Sequence, residues 1–482
     1  MAPKFLSALL LVPLLAAAPA AAAPVTPEAL RRHVDILASD AFEGRAPGTP
    51  GEEKTIAYIV DQWRALGLEP AGEDGGWFQK VPLLSRMSLT QKARWIGRKR
   101  LLDGEDSQLI LIGSEAEARV DGRVVFAGGA ADVPLDLEGA VVLADFMGPQ
   151  GLPPFHERSA AFAARGAAAV IAIMPDGVPW AAVEQSMGQE PVSLDTGPRP
   201  RIAGMMSKAA VRSALATASV DYDRLAPATP RRLGVRAVLE TTGEVRRFTS
   251  NNVVGRLRGS GGSGESLLYL GHWDHLGICA AETEADRICN GAVDNASGIA
   301  MLIEVARGLA AGPRPVRDVL FLASTAEENG LLGAEYFAKN PPVPAQSIVA
   351  AINADTVAVA PKGEKVALLG RGVEAIDRLV GETVREAGRV LDEDGEADSF
   401  VTRQDGWALA KAGIPSIMVG GSFSDMAKLQ AFLGGGYHKA SDNPGPDVML
   451  DGAAEDSNLL VALGRKLADP AAYRRADTLA RP

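Results

Sequence analysis

An α/β fold, a mixed but mostly parallel sheet flanked by helices in three layers, is what the sequence predicts for its C-terminal half. Three observations carry that prediction. Residues 267–270, 319–322, 348–352 and 417–419 are short apolar runs that are continuous rather than alternating. Such runs mark strands buried on both faces, as in a parallel or mixed sheet covered by helices. Between them Ile299, Leu302, Ile303, Ala306 and Leu309 make one apolar stripe at helical spacing, and Ile376, Leu379, Val380 and Val384 make another. The third observation is the β–α alternation itself, which belongs to α/β folds rather than to segregated layers.

The elements follow in chain order. Lys4, the apolar run over residues 5–18 and the small residues Ala20-Ala21-Ala22-Ala23 read as a secretory signal peptide over residues 1–23. The run is shorter than the roughly 20 apolar residues that span a bilayer, and no Cys follows it for lipid attachment. The mature chain is therefore expected to be exported, to a periplasmic or extracellular site, with no membrane anchor. Residues 24–112 form the N-terminal part of the main domain. Within them residues 26–71 read as helical, with Ile56, Ile59, Val60, Trp63 and Leu66 in register and Gly67 as the stop. Strand-like runs follow at 81–84 and 109–112. Residues 113–232 read as an inserted, smaller, β-rich domain. Runs at 124–126, 141–143 and 167–173 alternate there with turn residues, and residues 160–165 suggest a short Ala-rich helix. Residues 233–482 carry the chemistry. The Gly-Ser run 260–264 lies between the runs 253–254 and 267–270 and reads as a hairpin loop.

Composition narrows the function. The 482 residues hold 49 basic and 60 acidic side chains, a formal charge of −11. A chain this acidic lacks the electrostatic footprint for nucleic acid or anionic lipid. Its two cysteines, Cys279 and Cys289, are expected to form a disulfide in an oxidising compartment, two unpaired loop thiols being the alternative. Two thiolates without CxxC spacing argue against a cysteine-bound zinc.

Histidine is scarce, five in all, and three of the five fall in polar clusters behind the apolar runs. His272 follows the run 267–270, Glu327 and Glu328 follow 319–322, and Asp355 follows 348–352. Asp294 precedes a helix, and His438 sits in a Gly-rich segment. In open α/β sheets ligands bind at the loops leaving the carboxyl ends of strands. Carboxylates gathered so closely repel one another unless cations join them. Imidazole and carboxylate ligands suit zinc, with cobalt or manganese possible. Two histidines and three carboxylates would fill a two-metal hydrolytic site with one carboxylate bridging. One acid must stay free as general base, and the adjacent Glu327 and Glu328 allow this because neighbouring side chains diverge.

At these residues the chain resembles the two-zinc exopeptidases of peptidase family M28. The resemblance rests on Gly-His272-Trp-Asp274-His-Leu-Gly, Gly-Ala-Val-Asp294-Asn-Ala-Ser-Gly, Ala-Glu327-Glu328-Asn-Gly, Asn-Ala-Asp355 and Tyr437-His438-Lys-Ala-Ser-Asp442. It extends to Asn252-Val253-Val254-Gly255 and to Glu43-Gly44-Arg45 and the residues that follow. The resemblance implies a zinc exopeptidase fold and two zinc ions per chain. It implies that Asp294 bridges both ions, His272 and Asp355 complete one, and Glu328 and His438 the other. Glu327 becomes the general base and Asp274 holds the His272 imidazole; His275 has no ligand role and is read as a loop hydrogen-bonder. The 113–232 block resembles the protease-associated (PA) domain inserted in this family. One departure stands out. Where many relatives carry Ser-Asp-His, this chain has Gln404-Asp405-Gly406, so no catalytic role is assigned there. The implied substrates are peptides, cut from the N-terminus; a carboxypeptidase, a glutaminyl-cyclase-like enzyme and a non-catalytic binding relative are the alternatives. Few basic residues near the ligands, Arg403 and Lys439 among them, lean the reading toward the amine end.

Overall fold

The computed structural model describes residues 23–98, 101–104, 108–130, 132–148, 152–188 and 191–475. The expected signal peptide, Ala23 apart, lies outside the described residues. The chain divides into two compact units. One consists of the chain up to Lys80 together with the part from Asn251 onward, and the other is Val81–Ser250.

In the first unit the sheet is mixed and mostly parallel. In spatial order its strands are Ala367–Leu369, Ser416–Gly420, Ile348–Asn353, Ser266–His272, Asp318–Ser324, the 253–257 end of strand Arg231–Leu257, and Glu69–Pro70. Ser266–His272 pairs in parallel with both of its neighbours, and Ile348–Asn353 is parallel to Ser416–Gly420. The outer pairings are antiparallel. Each predicted apolar run lies inside one of these strands. The runs are continuous because both sheet faces are covered. Leu267, Tyr269, Val319 and Phe321 face a core built with Leu30, Trp63, Leu302 and Leu463 from helices on one side. Leu268, Leu270, Leu320 and Leu322 face Phe337, Leu409 and Ile414 on the other.

Two local expectations are corrected. The 260–264 run is not a hairpin loop, because the strands on either side of it are not neighbours. Asp318–Ser324 lies between them, antiparallel to residues 253–257 and parallel to Ser266–His272. The helical reading of residues 26–71 resolves into helices Pro27–Leu37 and Pro50–Ala65. Thr26 caps the first by accepting from Ala29 N–H, and Pro50 opens the second, where its missing N–H costs nothing. The segment between them, Asp40–Arg45, holds left-handed φ values at Glu43, Gly44 and Arg45, which no helix continues through.

In the second unit Glu117–Gly128, Val141–Asp145, Ala169–Met174 and Ile202–Ser207 lie side by side in parallel. Leu109–Gly113 closes one side antiparallel, and the first part of Arg231–Leu257 pairs antiparallel with Glu117–Gly128. The helices Phe155–Ala164 and Lys208–Ala216 belong to the same unit. This unit is wider than residues 113–232. The strand Phe78–Ile96 pairs within it with Leu101–Gly104 and Val192–Leu194, so residues from 81 on count with it. Strand pairing, rather than Pro and Arg punctuation, sets its edges.

Candidate metal centre

The first unit delivers its polar groups to the carboxyl ends of its parallel strands. His272 is the last residue of Ser266–His272. Glu327 and Glu328 follow Asp318–Ser324, and Asp355 follows Ile348–Asn353. Asp294 lies in the turn Ala292–Ala296 that leads into helix Ser297–Ala310. His438 approaches from the segment after helix Met426–Gly434 with a left-handed φ of 58°.

These side chains converge. His272 Nε2 lies 3.3 Å from Asp294 Oδ1, 3.5 Å from Asp355 Oδ1 and 3.9 Å from Glu327 Oε2. His438 Nε2 lies 2.8 Å from Glu328 Oε2 and 3.4 Å from Asp294 Oδ2. The two oxygens of Asp294 thus face different histidines, the disposition a bridging carboxylate needs. His272, Asp294 and Asp355 form one group of donors close enough to share an ion. A second such group is His275, Asp294 and Glu328. His275 was read from the sequence as a loop hydrogen-bonder, and its Nδ1 does bond Glu328 Oε1, at 2.5 Å. It also stands 3.9 Å from Asp294 Oδ2, so the structure places it at the centre rather than beside it.

Buried groups hold these donors in place. Asn295 ties three ligand-bearing segments together. Its Nδ2 donates to the carbonyls of Ala354 (3.0 Å) and His272 (3.4 Å), while its Oδ1 accepts from Gly298 N–H (3.0 Å) and Thr356 N–H (3.3 Å). A Cβ at Gly298 would come within 2.2 Å of that Oδ1, so only glycine permits the knot. Asp442 accepts from Val293 N–H and Asp294 N–H, both at 3.0 Å, fixing the Asp294 turn. Arg45 is fully buried and donates to the carbonyls of Trp273 (3.0 Å), Leu37 (2.8 Å), Asn290 (2.6 Å) and Gly291 (3.0 Å). It therefore braces the His272 loop against the Asp294 turn. Asp274 differs from its expected role. His272 Nδ1 lies 3.1 Å from the Asp274 carbonyl, whereas the Asp274 carboxylate accepts from Glu327 N–H at 3.1 Å and Glu328 N–H at 3.4 Å. Its nearer oxygen is 3.8 Å from the imidazole, so the carboxylate positions the glutamate pair.

The electrostatics show a site that needs a cation. Burial pushes the Asp274 carboxyl up to about 8 and the Asp405 carboxyl up to about 6. Glu327 is raised well above its usual range by burial, with Asp355, Asp405 and Glu328 adding repulsion. Asp294 moves the opposite way. Against burial, the imidazoles of His272 and His438 close to its oxygens hold it below the ordinary carboxylate range. His438 is driven up to about 9 by Asp294 and Glu328, in spite of its burial. Several acids competing for few protons in a dry site is the condition a divalent ion relieves. The donors fit that role in another respect. His272 Nε2 and Asp294 Oδ2 are buried and make no hydrogen bond, which is costly unless a ligand satisfies them. A set of imidazole nitrogens and carboxylate oxygens without thiolates matches zinc.

Other groups find their places. Cys279 and Cys289 form a disulfide. His33 bonds Tyr58 and Glu304, a structural role, and His156 belongs to the second unit. Asp405 is buried and accepts from Ser324 Oγ beneath the site. Beside the centre is a cleft bounded by Asp294, Glu327 and Asp355 on one side and by Phe400, Met418 and Tyr437 on another, with Arg403 also lining it. The bracing by Arg45 and Asn295 has no signature in residue type or spacing. Both lie inside the quoted motifs, and that was their only signal.

The sequence profile of Peptidase family M28 matches residues 252–454. A protein of Mycobacterium tuberculosis named "Probable lipoprotein aminopeptidase" is 26% identical, over 87% of this chain and 80% of its own length. A "Probable zinc metalloprotease" of Pyricularia oryzae is 29% identical over 39% of this chain. The chain spans 37% of that relative's length. The solved aminopeptidase from Aneurinibacillus sp. strain AM-1 superposes with a TM-score of 0.54 at 18% identity, covering 92% of this chain and 94% of its own, a likeness of fold.

Proposed function

We propose that the chain, whose residues 252–454 match the sequence profile of peptidase family M28, is a member of that family and an exported, metal-dependent aminopeptidase that removes N-terminal residues from peptides with two zinc ions. The observation that carries this reading is Asp294, whose two carboxylate oxygens face His272 and His438 respectively. His272, Asp294 and Asp355 would hold one ion; Asp294, Glu328 and His438 would hold the other, with His275 steadying Glu328 through its 2.5 Å contact. Cobalt or manganese could replace zinc in such a set. When bound, zinc supplies Lewis acidity, which polarises a scissile carbonyl and makes water a nucleophile near neutral pH.

The chain's own residues do the rest. Of the acids that line the cleft, Glu327 is the one that belongs to neither donor group. It takes a proton from the attacking water and returns it to the departing amine, the work of a general base. The Asp274 carboxylate accepts from the main-chain N–H groups of Glu327 and Glu328, and so sets the direction of the Glu327 side chain. Asn295, Asp442 and Arg45 keep the donors in place before substrate arrives, so little reorganisation is spent during reaction. The Val81–Ser250 unit is read as the PA domain. The relative named a lipoprotein aminopeptidase supports the activity.

One observation favours a carboxypeptidase instead. Arg403 lines the cleft, and a guanidinium suits a terminal carboxylate. The experiment that decides is release of amino acids from free and N-acetylated peptides by the zinc-loaded protein, with and without chelator. Release from free N-termini alone, abolished by chelation, is the expected result. Cleavage of N-acetylated peptides from the other end would replace the reading with a carboxypeptidase, and no release at all would reject catalysis.

A further inference from the structure

The second unit contains a cavity that the peptidase reading does not use. It has a volume of about 290 Å³ and sits at the carboxyl ends of that unit's parallel strands. Asp145 is the last residue of Val141–Asp145, Ile173 lies near the end of Ala169–Met174, and Lys208 opens helix Lys208–Ala216. This is the place where open parallel sheets bind ligands. The floor is apolar and aromatic, with Phe126, Ile173 and Leu225 buried and the half-buried ring of Tyr222 beside them. Met147 stands at the rim, 68% exposed.

Charge decides what fits. Lys208 is paired with Asp176 at 2.7 Å, and Asp223 with Arg212 at 2.8 Å. Asp145 is the exception. Its carbonyl accepts from Arg158, but among the described residues its carboxylate makes no hydrogen bond or ion pair, although it is half-buried. The cavity therefore presents a carboxylate with no bonded partner above an aromatic and aliphatic floor, Lys208 and Arg158 acting on it only through space. A half-buried carboxylate without hydrogen bonds loses hydration that a directly bonded cation restores. An aromatic ring adds attraction for that cation.

We propose that this cavity binds the side chain of a lysine or arginine within a peptide, the ammonium or guanidinium meeting Asp145 and the aliphatic stem lying on Phe126, Ile173 and Tyr222. The volume stands at the lower end of the range for ligand pockets, which suits one long side chain with its adjoining backbone. The second unit thus acts as a docking site for basic segments of peptides, independent of the metal centre.

The test uses the full mature chain, with and without bound zinc, titrated calorimetrically with Nα-acetyl-lysine amide, Nα-acetyl-norleucine amide and n-butylammonium. The lysine derivative is expected to bind about tenfold or more tightly than norleucine, the worth of a charge-assisted contact. Chelation should leave this unchanged, and n-butylammonium should bind more weakly than the lysine derivative. Asp145→Asn should erase the preference, and Lys208→Met, which removes a competing cation, should strengthen lysine binding. Should Asp145→Asn fail to fold, the Lys208→Met result alone still decides. Equal binding of lysine and norleucine, an unchanged preference in Asp145→Asn, no strengthening in Lys208→Met, loss on chelation, or n-butylammonium binding as tightly as the lysine derivative would each overturn the proposal.

Discussion

Replacing Arg45 with Met tests whether the ligand loops are braced from beneath. Met matches the length and apolar stem of Arg but donates nothing, so four carbonyls, those of Trp273, Leu37, Asn290 and Gly291, lose their cationic partner. Hydrogen bonds to a charged group contribute about 1.5–3 kcal/mol each. An opposing effect must be set against them. Burial pushes the guanidinium from 12.5 down to about 10, a charging cost of about 3 kcal/mol that Met does not carry. The hydrogen bonds outweigh it, and neighbouring contributions add incompletely. The net loss is expected to be roughly 3–5 kcal/mol, as when one partner of a buried charged arrangement is removed. Arg45→Lys keeps the charge but cannot fork to four carbonyls, so it should recover only part of the loss. The assay is urea denaturation in excess chelator, which removes metal binding as a separate source of stability. A loss below about 1 kcal/mol for Arg45→Met, or full recovery in Arg45→Lys, would refute the bracing argument.

Three further outcomes follow from the same geometry. Glu327→Gln should keep its zinc yet lose about 10²–10⁴-fold in kcat, measured beside metal content, since the proposal makes Glu327 a general base and not a ligand. Replacing both Cys279 and Cys289 with Ser opens a loop with a sequence separation of 10, and thermal or urea unfolding should report a loss of about 2–3 kcal/mol. The metal-free chain should lose stability as pH rises from about 5 to 9. Asp274 at about 8 and His438 at about 9 both have folded pKa values above their unfolded 3.8 and 6.5. Their contribution is complete below the unfolded values and vanishes as pH rises through the folded ones. Melting temperatures across that range should fall in chelator and stay flatter with zinc; a rise in chelator would contradict the burial of these groups.

Much of the catalytic unit was legible because its physics is one-dimensional. A strand covered on both faces must be apolar at successive residues, so the runs around Leu268, Leu320 and Ile352 announced themselves. Polar groups at strand ends inherit that legibility: once the strands are placed, His272, Glu327, Glu328 and Asp355 fall behind them. What stayed hidden depends on contacts between distant segments. Arg45 meets Asn290 across 245 positions, and nothing in the composition of residues 40–45 announces a buried cation. His275 stands beside Asp274 in sequence, and its contact with Glu328 appears only when two strands lie in register. The exchange of the carboxylate and carbonyl roles at Asp274 is likewise a matter of side-chain direction, which spacing does not encode. The 260–264 run misled because a tight Gly-Ser stretch suits both a hairpin and a link between strands separated by a third. The edges of the second unit were obscured because Phe78–Ile96 and Arg231–Leu257 continue through them without a break.

The central claim is a pair of metal ions joined by Asp294. The most direct test is zinc content per chain by elemental analysis after dialysis, for the wild type and for Asp294→Ala. The account predicts about two zinc ions in the wild type, since Asp294 contributes to both donor groups, and loss of both in the variant. A single zinc in the wild type, or a variant that retains its full complement, would contradict it.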